Sequence, residues 1–265
     1  MKRAITFILV ASFLVSFLLT ACQALQKGSG KLKTEAFNFN DFSAVEVNGP
    51  IRVNTSYADA YNVNLTVDDN IFSDIEISKE DNTLKVSLKK SSFFGIRKTR
   101  YVDAVADLDI IMPQLRSLTL SGTAEGTISG FNSRASMDFE LSGASTLELK
   151  GISAGDMSFN ISGASTVSGD IVAGDITYKV SGASTVHLDG TVSNVTCDAS
   201  GANQIKLDEL KAVNADIRLS GASTATINLT GKLDVNLSGD SDLFYFGNPV
   251  MGNTKISGGS TMSRK

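Results

Sequence analysis

The chain has 265 residues, with 24 Lys and Arg, 28 Asp and Glu and one His, for a net charge of -4; it holds only three Pro and no Trp. That mildly acidic balance offers no global attraction for nucleic acid. With 42 % hydrophobic residues and abundant Gly, Ser, Thr and Val, the composition favours one elongated β domain over two mixed ones.

Residues 1–21 are expected to be a secretory signal. Lys2 and Arg3 precede an apolar run over 4–21, which closes with Leu19-Thr20-Ala21-Cys22. A basic start, an apolar middle and a small-residue cleavage site mark such a segment. The ending resembles the bacterial lipobox, which implies that the mature chain begins at an acylated, membrane-anchored Cys22. The alternative is an uncleaved membrane helix, since 18 mostly apolar residues nearly suffice to span. Losing Lys2 and Arg3 takes the net charge from -4 to -6. Cys197 is then the only thiol, so it has no internal disulfide partner and reads as core.

Residues 22–36 read as a flexible tether. Lys27, Gly28, Ser29, Gly30, Lys31 and Lys33 crowd a stretch without apolar periodicity. No acidic cluster follows Cys22, and resemblance to bacterial lipoprotein sorting tilts this toward a periplasm-facing location. Residues 37–265 are expected to form a single solenoid domain. Over 37–120 the coils are irregular: 42–47 alternates, Asn48-Gly49-Pro50 turns, and Ile51-Arg52-Val53 alternates again. Further strands are expected over 61–67, 75–78, 83–88, 102–111 and 115–120, with one helical turn in 68–74. These coils cap an end that would otherwise expose unpaired strand edges.

From Ser121 a Ser-Gly phrase returns at Ser142, Ser162, Ser181, Ser200, Ser220, Ser238 and Ser257, at intervals of 21, 20, 19, 19, 20, 18 and 19 residues. Self-similarity at about 20 residues is the signature of stacked coils. Before each phrase apolar residues alternate with polar ones: Met137, Phe139 and Leu141; Met157, Phe159 and Ile161; Ile176, Tyr178 and Val180. The same holds through Val195, Cys197 and Ala199, then Ala215, Ile217 and Leu219, then Leu233, Val235 and Leu237. Strict alternation at one place in every coil predicts strands stacked in register about 4.8 Å apart with one buried face. That is an all-β parallel solenoid. A shorter second strand is expected after each corner, over 146–149, 166–167, 185–188, 204–207 and 224–227. The repeated phrase itself reads as a corner, in which Gly takes a backbone conformation that other residues resist. The competing reading is a binding ladder of Ser and Thr hydroxyls. Residues 243–246, four apolar residues in a row, are expected to close the far end of the core.

The ordered set of pieces resembles a known family, the bacterial head GIN domain, an auto-transporter adhesin head. Residues 42–53, with the glycine turn, look like its opening strands; 61–67 and 82–86 match its next elements; 109–118, through Met112-Pro113, leads into the Ser-Gly repeats. The likeness covers about residues 37–260. It implies a right-handed parallel β-helix on envelope proteins, often lipoproteins, and brings no catalytic residues to transfer.

No residue constellation points to chemistry. The outward column on the second strand reads Glu148, Ser168, His187, Lys206 and Thr226, and the other reads Glu140, Asn160, Lys179, Asp198, Arg218 and Asn236. Such mixing of charge suits a solvated face, and His187 reads as a surface residue. Asp156 and Asp175 sit at matching turns where later coils have Asn194 and Asn214, so turn chemistry explains them better than a metal. No cofactor, metal or nucleic-acid partner is expected. The candidate interaction loop is the acid-free stretch 82–102, in which Phe93, Phe94 and Tyr101 interleave with Arg97, Lys98 and Arg100. It suits an anionic glycan, lipid headgroups or an envelope protein; alternatively Phe93 and Phe94 fold back over the core. The sequence is thus read as a non-catalytic, lipid-anchored envelope module, adhesin-like or structural. Two alternatives stand beside that reading: a polysaccharide-acting β-helix enzyme and a periplasm-facing accessory protein.

Overall fold

A computed structural model describes residues 24–89, 92–93, 96–97 and 99–265. Cys22 and the signal segment, and Phe94 and Lys98 of the candidate loop, lie outside them.

Alternating residues build each coil from two strands on two facing sheets. Met137–Leu141 buries Met137, Phe139 and Leu141 and turns Asp138 and Glu140 outward. After a corner, Thr146–Ser153 buries Leu147 and Leu149 from the other sheet. Successive coils pair in parallel, residue on residue: Phe139 lies on Phe159, then Tyr178, Cys197, Ile217 and Val235. The result is a parallel β-solenoid of a 12-stranded and an 11-stranded sheet around one apolar core. Within that core the rings of Phe139, Phe159 and Tyr178 stack with centroids 4.9 and 5.3 Å apart. Each such contact stabilises by about 0.5–1.5 kcal/mol beyond burial.

The second strands run longer than expected, ending at Ser153, Val172, Thr191, Ala212 and Leu229. A register shift between Leu149 and Ile152 lets the chain bend while pairing continues. Where the chain bends, as in Thr146–Ser153, alternation is interrupted and a period-of-two reading stops short, whereas Thr224–Leu229 alternates through Leu229.

The Ser-Gly phrase is a corner. Gly163 has φ +78, and a Cβ there would collide with the carbonyl oxygen of Gly143 one coil away. The fourth residue of the phrase turns inward: Ser145, Ser165, Ser184, Asn203, Ser223 and Ser241 are all buried. Their polar groups are used locally. Ser145 Oγ donates to Ser142 O at 2.9 Å, Ser165 Oγ to Ser162 O at 2.9 Å, and Asn203 Nδ2 to Ser200 O at 2.7 Å. Asn203 Oδ1 also accepts from Ser184 N at 3.0 Å, joining adjacent coils. The far turns carry a second ladder. Asp156 Oδ1 accepts from Asp175 N at 2.9 Å, Asn194 Nδ2 donates to Asp175 Oδ1 at 2.6 Å, and Asn214 Nδ2 donates to Asn194 Oδ1 at 2.9 Å.

The N-terminal end departs from the parallel pattern. Leu32–Phe37 pairs antiparallel with Asn62–Asp68, and Ile75–Glu80 antiparallel with Thr83–Leu88. A 3-10 turn, Phe72–Asp74, lies between them. The stretch expected to be a flexible tether is therefore largely built into the fold. Ala24–Lys27 runs parallel to Thr99–Val102, and Leu32–Phe37 is an edge of the larger sheet. The pin is Asp68, 1 % exposed, whose Oδ1 accepts from Gly30 N at 2.7 Å and Oδ2 from Val105 N at 2.8 Å. A buried carboxylate is tolerated there because backbone donors replace its water. At the other end, Asp242–Gly247 buries Leu243 fully and packs Tyr245 partly buried against the core, while Phe244 lies under Lys265 Nζ, 4.4 Å from the ring centroid. Val250–Ile256 and Thr261–Arg264 stack a further coil beyond it.

Candidate functional site

Three surfaces bear on function. The outer face of the larger sheet sets Thr146, Thr166, Thr185, Gln204 and Thr224 in one column, in strict register. Beside it run Glu148, Ser168, His187, Lys206 and Thr226. The proposed hydroxyl ladder thus separates into two parts. The fourth-position Ser and Asn side chains of the corners are buried, while the following Thr or Gln faces outward. On this face Glu148 Oε2 lies 3.0 Å from Lys150 Nζ, and His187 Nε2 lies 3.5 Å from Asp189 Oδ1.

Perturbed titratable groups are scattered over the molecule. Asp107 raises the Arg52 guanidinium, Glu80 raises the Lys85 ammonium, and Lys232 lowers Asp234, each by hydrogen bonding at the surface. Burial raises Tyr178 and Cys197 inside the core, the thiol to about 12. Among the described residues, no group of three or more His, Cys, Asp or Glu is placed to share a metal ion.

The candidate loop is partly described. Ser92–Phe93 pairs antiparallel with Ile96–Arg97, and Arg100 lies in Thr99–Val102. Tyr101 packs partly buried against the core and donates through its hydroxyl to Asp74 Oδ2 at 3.0 Å. Whether Phe93 and Phe94 cover the core falls on side chains outside the described ones.

A cleft that sequence reasoning missed opens where the irregular coils meet the repeats. Its floor is Leu115, Phe131 and Met137, all buried. Tyr57 and Tyr61 form one wall, and Gln114, Asn132 and Ser133 form the rim of a depression of about 410 Å³. Tyr57 ends the strand Arg52–Tyr57, at the position where the inward column runs past the core. Its ring meets Phe131 edge-on, centroids 6.1 Å apart at 77°, and its hydroxyl donates to Asp59 Oδ1 at 2.7 Å. That bond holds the Tyr57 hydroxyl above its ordinary pKa. Tyr61 is fixed by its hydroxyl, which donates to Phe42 O at 3.0 Å. The available signal was the pair of tyrosines flanking the turn Ser56-Tyr57-Ala58-Asp59-Ala60-Tyr61, Tyr57 ending one alternating run and Tyr61 opening the next.

A family model described as putative auto-transporter adhesin, head GIN domain, matches residues 41–249. No curated protein matches the chain. Among solved structures, a putative adhesin from Parabacteroides distasonis ATCC 8503 superposes with a TM-score of 0.79 at 20 % identity, covering 91 % of this chain and 100 % of that one. A protein from the same organism described as a putative lipid binding protein gives 0.79 at 18 % identity, covering 91 % and 99 %. A putative adhesin from Parabacteroides merdae ATCC 43184 gives 0.75 at 19 % identity, also covering 91 % and 99 %. At these identities the likeness speaks for the fold.

Proposed function

The chain belongs to the putative auto-transporter adhesin, head GIN domain, family, and from that premise we propose that it is a non-catalytic binding module of the bacterial cell envelope, anchored by a lipid on Cys22. The observation that carries this reading is the registered outer face of the larger sheet. Thr146, Thr166, Thr185, Gln204 and Thr224 repeat one polar contact at the strand spacing, about 4.8 Å. A repeated surface multiplies weak contacts with a polymeric or crowded partner, which suits attachment. The anchor rests on the run Leu19-Thr20-Ala21-Cys22.

The test compares wild type with Cys22→Ala in intact cells, by fractionation and protease accessibility, alongside binding of the purified solenoid to cells and envelope polysaccharide. The expected result is a membrane-bound, protease-accessible wild type, a released variant, and saturable binding. Membrane retention of Cys22→Ala would remove the lipid anchor. Protection until the envelope is permeabilised would favour the periplasm-facing accessory instead.

A further inference from the structure

Tyr57 is the one aromatic among the large hydrophobic side chains that remain exposed in the described residues, at 48 %. Exposed aromatic surface alone is unremarkable, but this ring is held in place. The edge contact with buried Phe131 and the hydroxyl bond to Asp59 fix it from two sides, leaving much of it uncovered beside the cleft. A fixed aromatic wall has already lost its rotamer freedom, so a ligand that covers it does not bear that cost.

The rest of the cleft complements one chemistry. The apolar floor is bounded by uncharged polar groups. Asn132 is exposed, and its amide offers both a donor and an acceptor. Ser133 Oγ accepts from Ala135 N at 3.0 Å, which leaves its hydroxyl proton to donate. Arg116 Nε and Nη2, at 2.9 and 3.1 Å, are donors, so the Gln114 amide is assigned with its oxygen toward them, which leaves its amino group to donate. A ring with an apolar C–H face and an equatorial rim of hydroxyls matches a wall of this kind with such a rim. The depression, about 410 Å³, is within the usual size range of small-molecule sites. Asp59 beside the Tyr57 hydroxyl disfavours a carboxylated ligand there.

We infer that the Tyr57 cleft binds a neutral pyranose ring of a glycan, stacked on Tyr57 and hydrogen-bonded by Gln114, Asn132 and Ser133. This rests on the binding-module reading and adds a site and a ligand class to it.

The experiment titrates the purified solenoid with disaccharides of glucose, mannose, galactose and N-acetylglucosamine, read by calorimetry and by saturation-transfer NMR. Three proteins are compared, each checked for folding by circular dichroism: wild type, Tyr57→Ala and Tyr57→Phe. At least one sugar is expected to bind wild type. Tyr57→Ala should weaken it about tenfold, the scale of one lost aromatic contact. Tyr57→Phe keeps the ring and should lose no more than about threefold. Sugar binding unchanged in Tyr57→Ala would overturn the inference, as would no sugar binding by a wild type that still binds cells or polysaccharide; either result leaves the binding-module reading standing. A wild type that binds neither sugars, polysaccharide nor cells would overturn both.

Discussion

Tyr178 and Cys197 show what the stack demands of single side chains. Both lie in the inward column, fully buried, and both carry a polar atom in an apolar place. The Tyr178 hydroxyl has no hydrogen-bond partner among the described residues. Removing an unpartnered buried hydroxyl while keeping the ring stack relieves a desolvation cost. Tyr178→Phe is therefore expected to leave stability unchanged or raise it by about 1 kcal/mol, seen as a higher urea midpoint at constant slope. Cys197 makes a pH-dependent statement. Burial, with a smaller contribution from Asp198, raises its thiol from 9.0 to about 12. The unfolded chain therefore loses this proton first, so the thiol's contribution is intact below pH 9 and is lost as pH rises toward 12. Stability should fall over that window more steeply in wild type than in Cys197→Ala, and a thiol reagent at neutral pH should label Cys197 only as the protein unfolds.

At the scale of the element, the corner decides whether coils can stack. Gly163 needs both a left-handed backbone and the absence of a Cβ, because the carbonyl of Gly143 occupies that space. Gly151 has φ +61, yet its nearest neighbour to an added Cβ is Asp170 Oδ2 at 3.8 Å. The two glycines therefore separate strain from collision. Gly151→Ala should cost about 1 kcal/mol, and Gly163→Ala distinctly more, at least about 2 kcal/mol. Denaturant unfolding of both variants measures the difference, and equal costs would mean that the corner has room to spare. The Ser-Gly spacing marks these corners directly in the chain. The N-terminal end does not announce itself: Ala24–Lys27 meets Thr99–Val102 in parallel, and Leu32–Phe37 meets Asn62–Asp68 antiparallel, across separations that follow no period. A lysine- and glycine-rich run reads as tether because its order depends on Asp68, a residue with no mark of its own in the sequence.

At the scale of the whole molecule, each repeat coil touches chiefly its neighbours, so stability is close to a sum over coils and interfaces. Deleting residues 162–180 would join Ile161 to Ser181 and carry one corner directly onto the next in register. The shortened protein should fold with the same β circular dichroism per residue and unfold with a smaller denaturant slope, because less surface is exposed. Loss of the β signal would show that the coils are not interchangeable.

The repeat alone determined the coil length, both outward columns, the inward column from Phe139 to Val235 and the corner chemistry. In a parallel stack the neighbour of every residue lies one period along the chain, so constant spacing carries the contact map. Tertiary structure alone decided the antiparallel pairing within the N-terminal cap, and the cleft. There, Tyr57 at a strand end and Gln114 and Asn132 from the connections between strands converge on one depression, and convergence set by chain closure leaves no period to read.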